Sequence, residues 1–123
     1  MLNSPSNFHA EFLSAFNACD SARLLKLYEP GAKLVMGPGQ EPTGHAAIEK
    51  TFAEFLAMNP KMQMETLYVV ESGDMALTSS KWSLTGTGPD GNPMALQGKA
   101  VEVLRRQSDG SWLAVIDSPF GAN

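Results

Sequence analysis

The hydrophobic period of this chain changes once, at Asn59-Pro60, and that change limits the folds open to it. Before it, apolar residues recur every three or four positions; after it, they alternate with polar ones. Ser4 can cap a first helix and Pro5 suits its first position, where a missing N–H costs nothing. Phe8, Phe12, Ala15 and Phe16 then form one aromatic stripe. Asn17 to Asp20 breaks the pattern, and Asp20 is a good N-cap for a short second helix. Leu24, Leu25 and Tyr28 give that helix a buried side, and Glu29-Pro30-Gly31 ends it. "AKLVM", Ala32 to Met36, reads as a short strand. "GPGQEPTG", Gly37 to Gly44, reads as a loop, and Thr43 can cap a third helix from about Gly44 to Met58. The apolar face of that helix is Ala47, Ile48, Phe52, Phe55 and Leu56.

Beyond Pro60, Met62, Met64, Thr66, Tyr68 and Val70 alternate with mostly polar neighbours, as in a strand with one face covered. Glu71 to Asp74 is a turn, Met75 to Thr85 a strand, and Gly86 to Pro93 a loop. Met94 to Gln107 is the next strand, Ser108 to Gly110 a turn, and Trp112 begins the last strand. The order is ααβαββββ. Helices first and a meander afterwards imply an α+β fold with a mainly antiparallel sheet, since parallel doubly wound folds need helices between the late strands. No repeat or linker interrupts the chain, and residues 1–123 fit one domain with 43% hydrophobic content for its core.

Charge narrows the function classes. Thirteen acidic against nine basic residues give a net charge of -4, which argues against a nucleic-acid or anionic-membrane surface, where Lys and Arg must cluster. No apolar run approaches the roughly 20 residues that span a bilayer. The start, "MLNSPSNFHAEF", lacks the basic, apolar and cleavage regions of a signal peptide. The single cysteine, Cys19, cannot form an internal disulfide and suits a reducing, cytoplasmic setting. His9 and His45 read as surface or helix-end residues, and no His, Asp or Glu cluster has metal-ligand spacing. "GPGQEPTG" lacks the spacing and the lysine of a phosphate loop, and is expected at a pocket rim. No serine stands in a nucleophile-elbow sequence.

The order of elements and the phrases "FLSAFNACDSARLLKLYEPGAKLV", "TGHAAIEKTFAEF", "GDMALTSSKWSLTG" and "VEVLRRQSDGSWLAVID" resemble the NTF2-like superfamily, in particular its SnoaL-like and ketosteroid-isomerase-like members. They cover the chain from about Phe12 to Asp117. The resemblance implies a cone, with N-terminal helices packed in a curved sheet around a deep, mostly apolar pocket, and frequently a homodimer through the sheet's outer face. The isomerase members need a base beside a ketone and two oxygen donors, a tyrosine and a protonated acid. Phrase matching puts the tyrosine on Phe12 and the base near Val35 or Met36, none of which can serve. The second donor falls on Glu102, which keeps a carboxyl group. Steroid isomerisation by that mechanism is therefore not expected. Epoxide-hydrolase members need an arginine between two aspartates, and Arg23, Arg105 and Arg106 are not placed for that.

Two carboxyl groups remain as catalytic candidates, Asp117 and Glu102. The match places Glu102 on the cavity face with Leu104, where burial would raise its pKa; the alternative points it to solvent while Val101 and Val103 face the core. For Asp117, strict alternation puts Leu113, Val115 and Asp117 on one face and Trp112, Ala114 and Ile116 on the other. The match assigns the first set to the pocket, with Asp117 at its mouth; the alternative is a turn in which "DSPFG" uses the carboxylate to accept backbone N–H groups. Phe12, Phe16, Tyr28, Met36, Phe52, Thr78, Ser80, Trp82, Leu104, Leu113 and Val115 are the expected pocket residues, with Tyr28 the best hydroxyl donor. The expected partner is a small apolar or aromatic molecule, with no cofactor or metal. Proton transfer of isomerase or cyclase type by Asp117 and Glu102 is one reading. A non-catalytic carrier or dimerisation module with structural carboxylates is the other.

Overall fold

A computed structural model describes residues 2–123. A single 3-10 turn at Pro5–Asn7 leads into α1 (Phe8–Asn17), α2 (Ser21–Leu25), β1 (Tyr28–Leu34), α3 (His45–Leu56), β2 (Lys61–Ser72), β3 (Met75–Thr87), β4 (Pro93–Arg106) and β5 (Trp112–Ser118). The five strands form one open sheet in the order β1-β5-β4-β3-β2. Only β1 and β5 pair in parallel; β2, β3, β4 and β5 follow as an antiparallel meander. This is the α+β cone that the change of period implies, with α1 packed against β2, α3 against β1, and the helices on the concave face.

Local chemistry explains most boundaries. The Asp20 carboxylate accepts from the Arg23 N–H at 3.1 Å and caps α2 as expected. The Ser4 hydroxyl instead accepts from the Ser6 N–H and caps the 3-10 turn that leads into α1, and α1 itself follows Asn7 without a side-chain cap. Two other boundaries differ from the sequence reading. Thr43 does not cap α3: its hydroxyl donates to the Glu41 carbonyl, and Gly44, at φ 87°, is the residue that enters the helix. The Gly44 N–H donates instead to the Ala32 carbonyl, tying the start of α3 to β1. Tyr28 belongs to β1 and not to α2. Helical spacing with Leu24 is overridden because β5 offers Tyr28 a strand to pair with, opposite Ala114. Pro30 is tolerated because β1 is an edge strand that bows away from β5 between Tyr28 and Lys33.

Bulges bend the sheet and set which side chains face inward. On β2, Leu67 is an extra residue, since Thr66 pairs with Ser80 and Tyr68 with Ser79. On β5, Leu104 pairs with Ala114 and Val103 with Ile116, so Val115 is extra. This second bulge corrects the strict alternation expected for the last strand. Trp112, Ala114 and Asp117 are buried inward, while Leu113 and Val115 are only half-buried and Ile116 is exposed. Leu113 and Val115 are therefore not pocket residues. Asp117 faces inward because the bulge restores it to the face that Ala114 occupies.

The chain end folds back over β4. The Trp82 indole donates to the Pro119 carbonyl at 2.8 Å, Phe120 packs edge-on against Trp82, and the Ala122 N–H reaches the Lys99 carbonyl. Gly98 is the floor of this contact: a Cβ there would lie 2.9 Å from Trp82, 3.0 Å from Phe120 and 3.1 Å from the Pro119 carbonyl oxygen. Gly98→Ala is expected to destabilise the fold by about 1–3 kcal/mol through overpacking, read as a lower midpoint in urea. Gly31→Ala, whose Cβ meets nothing within 4 Å, should shift it much less.

Candidate functional site

The sheet registers stack the inward residues into rows. Ala76, Leu104 and Ala114 form one row across β3, β4 and β5, with Tyr28 beside it on β1. The next row is Thr78, Glu102 and Asp117, with Leu34 beside it. Ser80 and Ala100 follow, then Trp82 and Gly98 with Met64 on β2, then Leu84 and Leu96 with Met62. A cavity of about 60 Å³ runs along these rows under α1 and α3. Its lining is apolar almost throughout: Phe8, Phe12, Phe16, Phe52, Phe55, Leu34, Met36, Met62, Met64, Trp82, Leu84, Ala100, Pro119 and Phe120. Its ionisable lining residues are His9, Glu102 and Asp117.

Burial shows which end is which. Met36, Met62, Met64, Phe55, Pro119 and Phe120 are half-buried and mark the mouth, whereas Phe8, His9, Glu102 and Asp117 are buried. Asp117, expected at the mouth, sits at the inner end and is 5% exposed.

Glu102 points inward, so Val101 and Val103 take the outer face. Its Oε1 accepts from the Thr78 hydroxyl at 2.6 Å and lies 2.6 Å from His9 Nε2. The other ring nitrogen of His9, Nδ1, lies 2.8 Å from Thr66 Oγ1. Directly across the strand pair, Asp117 Oδ2 accepts from the Tyr28 hydroxyl at 2.5 Å. The Asp117 carboxyl is not held by backbone N–H groups; its main-chain carbonyl accepts from the Val35 N–H, which extends the pairing of β1 with β5. Each carboxyl thus keeps one oxygen, Glu102 Oε2 and Asp117 Oδ1, that receives no hydrogen bond from the described residues.

Burial pushes the Asp117 carboxyl up to about 8, helped by the neighbouring Glu102 charge and opposed by the Tyr28 hydrogen bond. Burial also pushes the Tyr28 phenol well above its ordinary range, with the Asp117 charge next in importance. At neutral pH, Asp117 is therefore a carboxylic acid and Tyr28 a neutral phenol.

Of the expected pocket residues, Phe12, Phe16, Met36, Phe52 and Trp82 line the cavity. Tyr28 and Thr78 lie just outside its wall and act through hydrogen bonds to the two carboxyls. Leu104 lies one row further in, at the closed end of the cone, and Ser80 is sealed in the sheet with a hydroxyl that finds no partner. His9 is the residue missed. Expected at a surface or helix end, it lies in the first turn of α1 but is only 6% exposed. The signal was present: His9, Phe12 and Phe16 are spaced i, i+3 and i+7, along the stripe that faces the core. His45 does start α3, where its Nε2 lies 2.8 Å from the Tyr28 carbonyl oxygen. Among the described residues no arginine reaches the cavity; Arg23, Arg105 and Arg106 pair with Glu11, Glu29 and Asp74.

The sequence profile of the SnoaL-like domain matches residues 9–115. The chain belongs to that family. No curated protein sequence matches this SnoaL-like domain. Solved structures do. A ketosteroid isomerase-like protein from Erwinia carotovora atroseptica aligns over 92% of this chain and 89% of its own, with a TM-score of 0.80 and 24% identity. An NTF2-like superfamily protein from Salmonella enterica covers 95% and 89% with a TM-score of 0.79 at 14% identity. Aln2 from a Streptomyces species covers 96% and 92% with a TM-score of 0.74 at 22% identity. These identities show a shared fold, and the fold hosts many functions.

The raised Asp117 gives a pH signature. Between about 4 and about 8 the folded SnoaL-like domain keeps a proton on Asp117 that the unfolded chain has released. The unfolded state then binds fewer protons, so stability falls as pH rises through that window. The melting temperature of the wild type should drop from pH 5 to pH 9, and Asp117→Asn should flatten the curve, measured by calorimetry of both proteins.

Proposed function

We propose that this SnoaL-like domain binds a small, largely apolar carbonyl compound and moves a proton on it, as an isomerase or cyclase does. The observation that carries this reading is the pair of facing carboxyl groups at the inner end of an apolar cavity, each with a free oxygen. In a dry cavity, hydrogen-bonding and charged groups act more strongly than in water. The apolar part of the compound lies against the Phe12, Phe52 and Trp82 wall, with its carbonyl turned toward the polar row. Glu102 takes a proton from the carbon beside that carbonyl, the C–H pair becomes a carbon–carbon double bond as the C=O π pair moves onto oxygen, and Asp117 donates a hydrogen bond to that enolate oxygen. The proton then returns at another carbon, and no co-reactant is consumed. Five half-buried methionines or phenylalanines at the mouth (Met36, Phe55, Met62, Met64 and Phe120) give an adaptable entrance.

The second reading, a carrier without chemistry, draws on the short Tyr28–Asp117 and His9–Glu102 bonds, which would equally suit a closed structural network. The open cavity beside those groups favours the first.

The domain is further proposed to work as a cytoplasmic homodimer. Val70, Leu77, Val103 and Ile116 pair in one row across the outer face of four strands, and Val70, Leu77 and Ile116 are 54%, 39% and 40% exposed. An apolar row of this kind on a sheet face is self-complementary and needs a cover. The exposed, unpaired Cys19 suits a reducing compartment.

A thermal-shift screen of small ketones, polyketide-like aromatics and fatty acids should yield a ketone or aromatic that raises the melting temperature. Turnover of that compound should fall at least about 100-fold in both Asp117→Asn and Glu102→Gln. Binding with no turnover supports the carrier, and full turnover in both variants sinks the proton-transfer reading. For the dimer, Leu77→Glu should shift sedimentation from twice the chain mass to the single-chain mass; a monomeric wild type overturns it.

A further inference from the structure

We propose that His9 is a positioning residue that decides which of the two buried carboxyls carries the proton, holding Glu102 as the carboxylate and leaving Asp117 as the acid. This rests on the two-carboxyl reading of the site but concerns the site's resting state, with or without a substrate.

The asymmetry is geometric. Glu102 Oε1 accepts from the Thr78 hydroxyl at 2.6 Å and lies 2.6 Å from His9 Nε2, a second donor whenever that nitrogen carries a proton. Asp117 is met by one, the neutral Tyr28 phenol. A carboxylate is favoured by the number of its donors and by their charge. The His9 ring can carry that charge because Thr66 Oγ1 at 2.8 Å can accept from Nδ1, so both ring N–H groups are satisfied when the ring is doubly protonated.

Charge balance points the same way. The groups meeting the two carboxyls are His9 from α1, Thr78 from β3 and Tyr28 from β1, with Thr66 from β2 behind His9, and α3 contributes only Phe52 and Phe55 to the cavity. No lysine or arginine lines the cavity among the described residues. A cationic His9, an anionic Glu102 and a protonated Asp117 sum to zero, as a neutral ring with two carboxylic acids also does. The Thr78 hydroxyl donating to the same Oε1 favours the first, because a carboxylate accepts two donors better than an acid does. With two carboxylates the site would be left with a net negative charge, and with none the cationic ring would lack a counter-ion. His9 therefore acts on Asp117 through Glu102: the negative charge it stabilises there is what keeps the proton on the opposite residue.

The test follows the two carboxyl carbons by ¹³C NMR titration, with the imidazole nitrogens followed by ¹⁵N. In the wild type the upper of the two carboxyl steps should appear at Asp117, and between the steps the His9 ring should carry two N–H groups. His9→Gln keeps a donor near Glu102 and removes the charge, so the upper step should move to Glu102 or be shared by both carbons. Thr66→Val removes the acceptor for Nδ1–H and so disfavours the doubly protonated ring, and the upper step should spread from Asp117 onto Glu102. A His9→Gln protein whose upper step remains wholly on Asp117 overturns the proposal. So does a neutral His9 ring in the wild type between the two steps, and that measurement decides alone if His9→Gln does not fold. No substrate enters these readouts. A failed ligand screen leaves them standing, and a failed swap leaves the turnover variants to be judged on their own.

Discussion

Two carboxyl groups that face each other across neighbouring strands, away from water, set the terms for the interior of this domain. Burial opposes the charge on each, and a charge on either opposes a charge on the other. Glu102 and Asp117 are tolerable together because other elements supply partners: Thr78 from β3, Tyr28 from β1 and His9 from α1. Those partners come from far apart in the sequence. The parallel pairing of β1 with β5 brings Tyr28 to Asp117 across 89 positions, and α1 brings His9 to Glu102 across 93. The helices at the start and the strands at the end are thus joined by polar contacts inside the cavity as well as by their apolar faces. Breaking one partner of such a buried pair generally costs about 3–5 kcal/mol, so the site and the stability of the cone are not separable.

The apolar shell works in the same direction. Phe8, Phe12 and Phe16 stand in line on α1, with Phe52 packed edge-on to Phe12 and tilted against Tyr28. These rings exclude water from the inner row and so sharpen both the attraction between His9 and Glu102 and the repulsion between the two carboxyls. They also leave only a small space, about 60 Å³, beside the two carboxyls.

The fold was legible because it depends on periods and turn residues that any window of the sequence displays. The shift at Pro60, the cap at Asp20 and the glycine-rich turns are local signals. The site was only half legible. Glu102 and Asp117 stand out as charges inside apolar runs, but their directions could not be read by counting. Strict alternation gave Asp117 an inward face in the company of Leu113 and Val115. In the folded chain it faces inward with Trp112 and Ala114, because the Val115 bulge resets the count. A bulge is a relation between two strands and leaves no mark on one of them. His9 was hidden for a different reason: a histidine in the first turn of a helix looks solvated until a distant glutamate is known to lie beneath it. Tyr28 was placed on a helix by spacing and belongs to a strand by pairing.

The two tryptophans of the chain have ended in different surroundings. Trp82 stands in the cavity wall against Phe120, and Trp112 is buried at the opposite end of its strand row, with its N–H bonded to the Leu2 carbonyl through the main chain. An occupant of the cavity touches the first indole and not the second. The protein therefore holds one indole in the cavity wall and one away from it, so intrinsic fluorescence is expected to divide into a component that responds to an occupant of the cavity and one that responds to unfolding.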